Sequence, residues 1–212
     1  MTSLHISPYL AQLARWPSAG RHVMAQFDAD RVVVYQAYRP SIGQFAAEHG
    51  HFRGGGFSLD RMSWIKPNFL WMMYRCGWAQ KSGQEVVLAI WLARAQFDAI
   101  LAAAVPSTWD RERFVTRDAW QAAVASSDVR LQWDPDHGPG GEPVERRAIQ
   151  LGLRGAVLAA YAQPERIEDI TPFVREQHAR LQRDGKGALV TPSEAPYPCA
   201  PATAALLRTA AM

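Results

Sequence analysis

Apolar and polar positions along the chain follow two periods. Residues 31–38 carry three consecutive valines, the pattern of a strand buried on both faces. Residues 85–92 form the clearest strand: Val87, Ala89 and Trp91 fall on one side, and Val86, Leu88, Ile90 and Leu92 on the other. Residues 129–133 alternate as a further strand, 146–152 continue as a strand or begin a helix, and 57–59 form a short strand. Helical spacing occupies 42–49, 94–104, 118–125, 154–161 and 170–183, the last with Ile170, Phe173, Val174, Gln177 and Leu181 as its apolar stripe. Near the start, residues 7–16 form a short helix with Ser7 as N-cap and Pro8 in the first helical position, and 21–27 add another turn. Residues 49–56 and 134–141, rich in Gly, Pro and Asp, read as irregular loops.

One stretch departs from simple periodicity. Residues 54–75 open with three glycines and close as an aromatic-rich helix from Pro67 to Cys76, which Gly77 ends. Glycine lets a backbone approach a ligand closely. Arg and Lys hold phosphate, and flat rings stack on bases. Lys66 and its neighbours fall at a helix N-terminus, where N–H groups favour anions. Residues 53–81 carry five positive side chains against Asp60 alone, a local excess of +4 beside +3 for the whole chain. This stretch is expected to wall a nucleotide-type cleft. The competing reading is a solvated face, with long cationic stems lying over apolar surface.

The length of 212 residues suits one domain, expected at 21–183, with a helical N-terminal extension at 1–20 and a partly mobile Pro/Ala/Gly-rich tail at 184–212. Two widely separated cysteines argue against a disulfide scaffold and for a reducing, cytoplasmic setting. No apolar run reaches the ~20 residues of a membrane span, so no membrane partner is expected. A sequence pI near 9.1 permits a nucleotide or nucleic-acid partner without requiring one.

The segments 34–38, 57–75, 84–90, 129–137 and 145–155 together resemble the domain-of-unknown-function family 4291 over roughly residues 20–180. The order of elements is also similar to ADP-ribosyltransferases of the DNA-targeting toxin type. That resemblance implies an α+β single domain with a split, mostly antiparallel sheet flanked by helices. It implies NAD as co-substrate and a nucleic acid or nucleotide as acceptor. In such enzymes a first strand grips NAD, a second segment leads into a helix lining the nicotinamide pocket, and a late strand carries a catalytic glutamate. Tyr35, Gln36, Tyr38 and Arg39 stand for the first motif. Ser58, Arg61, Trp64, Lys66, Asn68 and Trp71 stand for the second. Where the glutamate is expected the chain has Gln150, with Glu145 five residues earlier, so these two are the catalytic candidates.

Each candidate has a bland alternative. Glu145 could pair with Arg146 or Arg147, and Gln150 could be an ordinary strand residue. Trp71 and Trp78, seven apart, would share a face of one continuous helix and pack in the core. Asp134, Asp136 and His137 admit a metal reading, but their spacing matches no strong ligand pattern; with Arg147 they are expected to touch substrate at the cleft mouth, with no metal. Two further functions stand beside NAD chemistry: a nucleotide or nucleic-acid binding module without catalysis, and another nucleotide-dependent transferase using Lys66.

Overall fold

A computed structural model describes residues 2–210. In chain order the elements are β1 (Ile6–Pro8), α1 (Tyr9–Leu13), β2 (Gly20–Arg21), β3 (Met24–Ala25), β4 (Arg31–Tyr38), α2 (Pro40–His49), β5 (Ser63–Ile65), α3 (Phe69–Cys76), β6 (Val86–Ala93) and α4 (Arg94–Ala102). They continue with β7 (Ala104–Pro106), α5 (Arg117–Ser126), β8 (Val129–His137), β9 (Pro143–Leu153), α6 (Gly155–Tyr161), β10 (Arg166–Asp169), α7 (Thr171–Asp184), β11 (Val190–Pro192), β12 (Ala195–Pro196) and α8 (Pro201–Leu207).

The strands form two main sheets. The first is β10-β6-β4, antiparallel throughout, with β4 and β6 paired from Arg31↔Ala93 to Tyr38↔Val86. The second is β2-β9-β8-β7, with β5 also bonded to β9. The fold is therefore a single-domain α+β structure with mostly antiparallel strands. The alternation in β6 decides which core each side chain enters. Val86, Leu88, Ile90 and Leu92 join Val32 and Val34 against Leu131, Ile149 and Leu151 of the second sheet. Val87, Ala89 and Trp91 join Val33 and Tyr35 against α3 and α7. Burial on both faces explains the uninterrupted valines of β4.

Gly43 of α2 sits directly on β6: a Cβ there would lie 2.5 Å from Val86 Cγ1. Gly43→Ala is expected to cost about 1–3 kcal/mol by overpacking, despite alanine's better helix propensity. Thermal unfolding of the variant checks this; an unchanged or higher Tm would show that the contact yields freely.

Several expectations are corrected. Ser7 lies in β1, and α1 starts only after Pro8, without a side-chain cap. Residues 21–27 contribute β2 and β3 instead of a helical turn. Residues 57–59 are not a strand; the pairing falls on β5, where Trp64 meets Gly152. Asp134–His137 continue β8 instead of looping, with a register shift between Pro135 and Asp136, and the turn begins at Gly138. Residues 146–152 resolve as strand. Gly77, Trp78 and Ala79 all adopt left-handed backbone, so Trp78 lies beyond α3 and does not share a helix face with Trp71.

Residues between 189 and 207 pack against the rest of the chain. β11 pairs with β1 and β12 with β3, while Leu189, Thr191, Tyr197 and Leu207 are buried. Pro192 and Pro196 lie in strands of two or three residues, where few ladder bonds are demanded, and Pro201 takes the first position of α8.

Candidate functional site

The end of β4 and the short strand β5 meet edge to edge, and their side chains interlock. Gln36 Nε2 donates to Ser63 Oγ (2.8 Å) and to the Trp64 carbonyl (3.1 Å), and its Oε1 accepts from the Tyr161 hydroxyl (2.6 Å). The Tyr38 hydroxyl and Ser63 Oγ lie 2.9 Å apart. Every polar atom of the Gln36 amide that faces the interior finds a partner, which fixes this wall in one arrangement. Burial pushes the hydroxyls of Tyr38 and Tyr161 upward, so both remain protonated.

Lys66 follows β5. Its backbone exchanges hydrogen bonds with Tyr35 (2.7 and 3.2 Å), which holds the residue at the seam between the sheets. Its side chain is only 6% exposed, and Nζ donates to the Trp64 carbonyl at 3.4 Å. The amine borders a hollow of about 190 Å³ shared with Gln36, Tyr38, Ser63, Met72 and Arg75. Burial, assisted by the Arg75 guanidinium, lowers its pKa to about 8, against the pull of Asp134. A lysine so placed loses its charge readily near neutrality, which suits a nucleophile or a base as well as a phosphate contact.

The opposing carboxylate is organised by β8 and β9. Gln132 pairs with Gln150, and Asp134 with Ala148, so Gln132, Asp134 and Gln150 share one face. Gln132 Nε2 donates to Asp134 Oδ1 (2.8 Å) and Gln150 Nε2 to Oδ2 (2.7 Å). Gln150 thus acts on Asp134, and the carboxylate whose charge is felt at Lys66 is Asp134 itself.

The N-terminus of α3 does not lie open to an anionic ligand. Asn68 is the N-cap, its Oδ1 accepting from Trp71 N–H at 2.7 Å. Glu194, from the segment between β11 and β12, accepts from the backbone N–H of Phe69 (2.6 Å) and from Asn68 Nδ2 (2.9 Å). The chain's own carboxyl occupies the place that the dipole would offer to an anion. Burial raises the pKa of Glu194 to about 8, with Asp136 pushing the same way and Arg146 opposing. Glu194 was not legible in the sequence, since it lies outside any periodic segment and 126 residues from Asn68.

The other expected residues divide. Asp136 is buried and gripped by Arg146 through Nε (2.8 Å) and Nη2 (2.6 Å). His137 is buried in a stack with Tyr74 (3.6 Å) and Trp71 (5.3 Å). Both serve structure, as does the core residue Tyr35. Arg39 bonds Ser41 and the Gly56 carbonyl, Ser58 accepts from Asp60 N–H, and Arg61 is exposed; none of the three lines the hollow. Gly54 and Gly55 approach Phe45 and the Ser41 carbonyl of α2, so those glycines serve packing, not ligand approach. Glu145 is exposed at the irregular end of β9, away from Gln150. Arg147, three residues from Gln150 on a regular strand, faces the other side of the sheet. Trp64 borders the hollow and also supplies the carbonyl that Gln36 and Lys66 share.

Among the described residues no helix is long and apolar enough to cross a membrane. A comparison with curated proteins finds no match. Residues 22–197, which include the Lys66 hollow and both main sheets apart from β2, match the family described as Domain of unknown function (DUF4291), and the chain belongs to that family.

Proposed function

We propose that the protein is an ADP-ribosyltransferase-like enzyme that takes NAD as co-substrate in the cleft around Lys66. The observation that carries this reading is the juxtaposition of Lys66 with an Asp134 carboxylate held by two glutamine amides. Breaking the bond between the ribose C1′ and nicotinamide sends the electron pair out with nicotinamide and leaves positive charge on the sugar. An oriented carboxylate stabilises that charge, and the acceptor's nucleophile then bonds C1′ and releases its proton. Asp134, positioned by Gln150, takes the role that the resemblance assigns to a glutamate. Lys66 and Arg75 supply positive charge for the pyrophosphate. The hollow of about 190 Å³ is below the ~300 Å³ of a whole-ligand site and suits the nicotinamide-ribose end alone.

Incubation with labelled NAD and mixed RNA or DNA is expected to release nicotinamide and transfer label. Asp134→Asn is expected to lower that rate about 100-fold, the size of effect seen when one electrostatic partner of a transition state is lost. A wild-type protein that neither binds NAD nor releases nicotinamide rules the reading out. Salt-sensitive nucleic-acid binding without turnover would favour a binding module instead.

The near-neutral amine of Lys66 favours a second reading, a nucleotide-dependent transferase with Lys66 as nucleophile. That reading expects a covalent nucleotide adduct, lost in Lys66→Ala, whose formation rises with pH through about 8 as the amine loses its proton.

A further inference from the structure

A second hollow lies on the side of the second sheet that carries Arg147. It measures about 680 Å³ and lies between β2, β8, β9, the end of β7 and the end of α8. Arg21 and Arg147 stand abreast there, since β2 and β9 pair in parallel with Arg21↔Arg147. Like charges side by side on neighbouring strands repel. Among the described residues, neither arginine has a carboxylate within ion-pair distance. Arg111, on the same rim, is equally free of an acidic partner and lies over the Trp109 indole at 5.1 Å, with Arg117 over the same ring at 4.7 Å. A guanidinium flat on an indole still presents its N–H edge outward. The two acids of the rim, Asp110 and Glu112, are engaged by Arg208 at 3.0 and 2.9 Å. Five guanidiniums against two carboxylates leave the lining with a net charge of +3, and both carboxylates are held by Arg208.

We infer that this groove binds single-stranded nucleic acid, with Arg21, Arg111 and Arg147 on its phosphates. A concave recess of this size admits an unpaired nucleotide, which a stacked duplex keeps inside itself. The half-buried indoles of Trp109 and Trp133 line the recess and offer apolar surface to a base. The inference stands on the groove alone and does not depend on NAD chemistry in the cleft.

The test is fluorescence anisotropy of a labelled mixed-sequence 12-mer, as DNA and as RNA, without NAD. The expected slope of log affinity against log salt is about −2, from three phosphate contacts at ~0.7 each. The triple variant Arg21→Ala, Arg111→Ala, Arg147→Ala is expected to weaken binding at least tenfold and flatten that slope, with Tm unchanged because all three side chains reach solvent. Arg61→Ala, which removes an exposed cation outside both hollows, is expected to bind normally. Binding that the triple variant leaves intact overturns the inference. So does displacement of the oligonucleotide by inorganic phosphate or by duplex of the same length at equal concentration, which would assign the groove to free phosphate or to a duplex backbone. Because the assay contains no NAD, its failure is separate from failure of the cleft reading.

Discussion

Asp136→Ala is expected to lower the unfolding free energy by about 3–5 kcal/mol, because it strands Arg146 without a counter-charge inside the protein. The two side chains are 1% and 5% exposed, and the guanidinium reaches the carboxylate through two nitrogens. The remaining bonds do not replace this one. Arg146 Nη1 donates to the Pro17 carbonyl at 2.9 Å, and its guanidinium lies over the Trp16 indole at 5.1 Å. Asp136 also accepts from His137 N–H (2.7 Å), so its loss frees a buried donor beside the His137–Tyr74–Trp71 stack. Replacing both charges should hurt less than replacing one: Asp136→Ala with Arg146→Met leaves no uncompensated ion. Urea unfolding checks this through the midpoint at constant slope. A single variant as stable as the parent, or a double variant less stable than the single, would show that the pair is not acting as a unit.

Glu194 carries the second large effect, and it depends on pH. The folded pKa of about 8 lies above the ordinary 4.5. The folded state therefore holds this proton more tightly than the unfolded chain does. Stability from this group is fully present below about pH 4.5 and is lost as pH rises through about 8. Integrated over that window the change is at most roughly 4–5 kcal/mol. Glu194→Gln should flatten the decline between pH 5 and 8, since a glutamine has nothing to release. Glu194→Ala should cost about 2–4 kcal/mol at pH 6, because Phe69 N–H and the Asn68 amide are left unmatched in a dry site. Melting temperatures across pH 5–9 decide the matter; an unchanged pH slope in Glu194→Gln would place the titration elsewhere.

What could be read from the sequence follows from what is periodic. The strands β4 and β6 were legible because alternation and a run of valines are set by the two cores they separate. The seam around Lys66 drew notice because a cationic, aromatic, proline-marked stretch is unusual in a purely structural segment. Asp134–His137 misled, since Asp-Pro-Asp reads as a turn, whereas a register shift lets β8 absorb the proline and continue. Glu145 drew notice as the nearest glutamate to Gln150, but proximity in sequence says nothing about a strand's two faces. The link from Gln150 to Asp134 crosses between strands and has no local signature. Arg21 beside Arg147 was hidden for the same reason: the pairing joins residues far apart in the chain.

The terminal stitching has a consequence for biosynthesis. Because β1 closes on β11 and the start of α3 is completed by a residue 126 positions downstream of its cap, a growing polypeptide cannot finish this wall until Glu194 has left the ribosome. Chains that stop anywhere before Glu194 should be left with Phe69 N–H and the Asn68 amide unmatched at the start of α3.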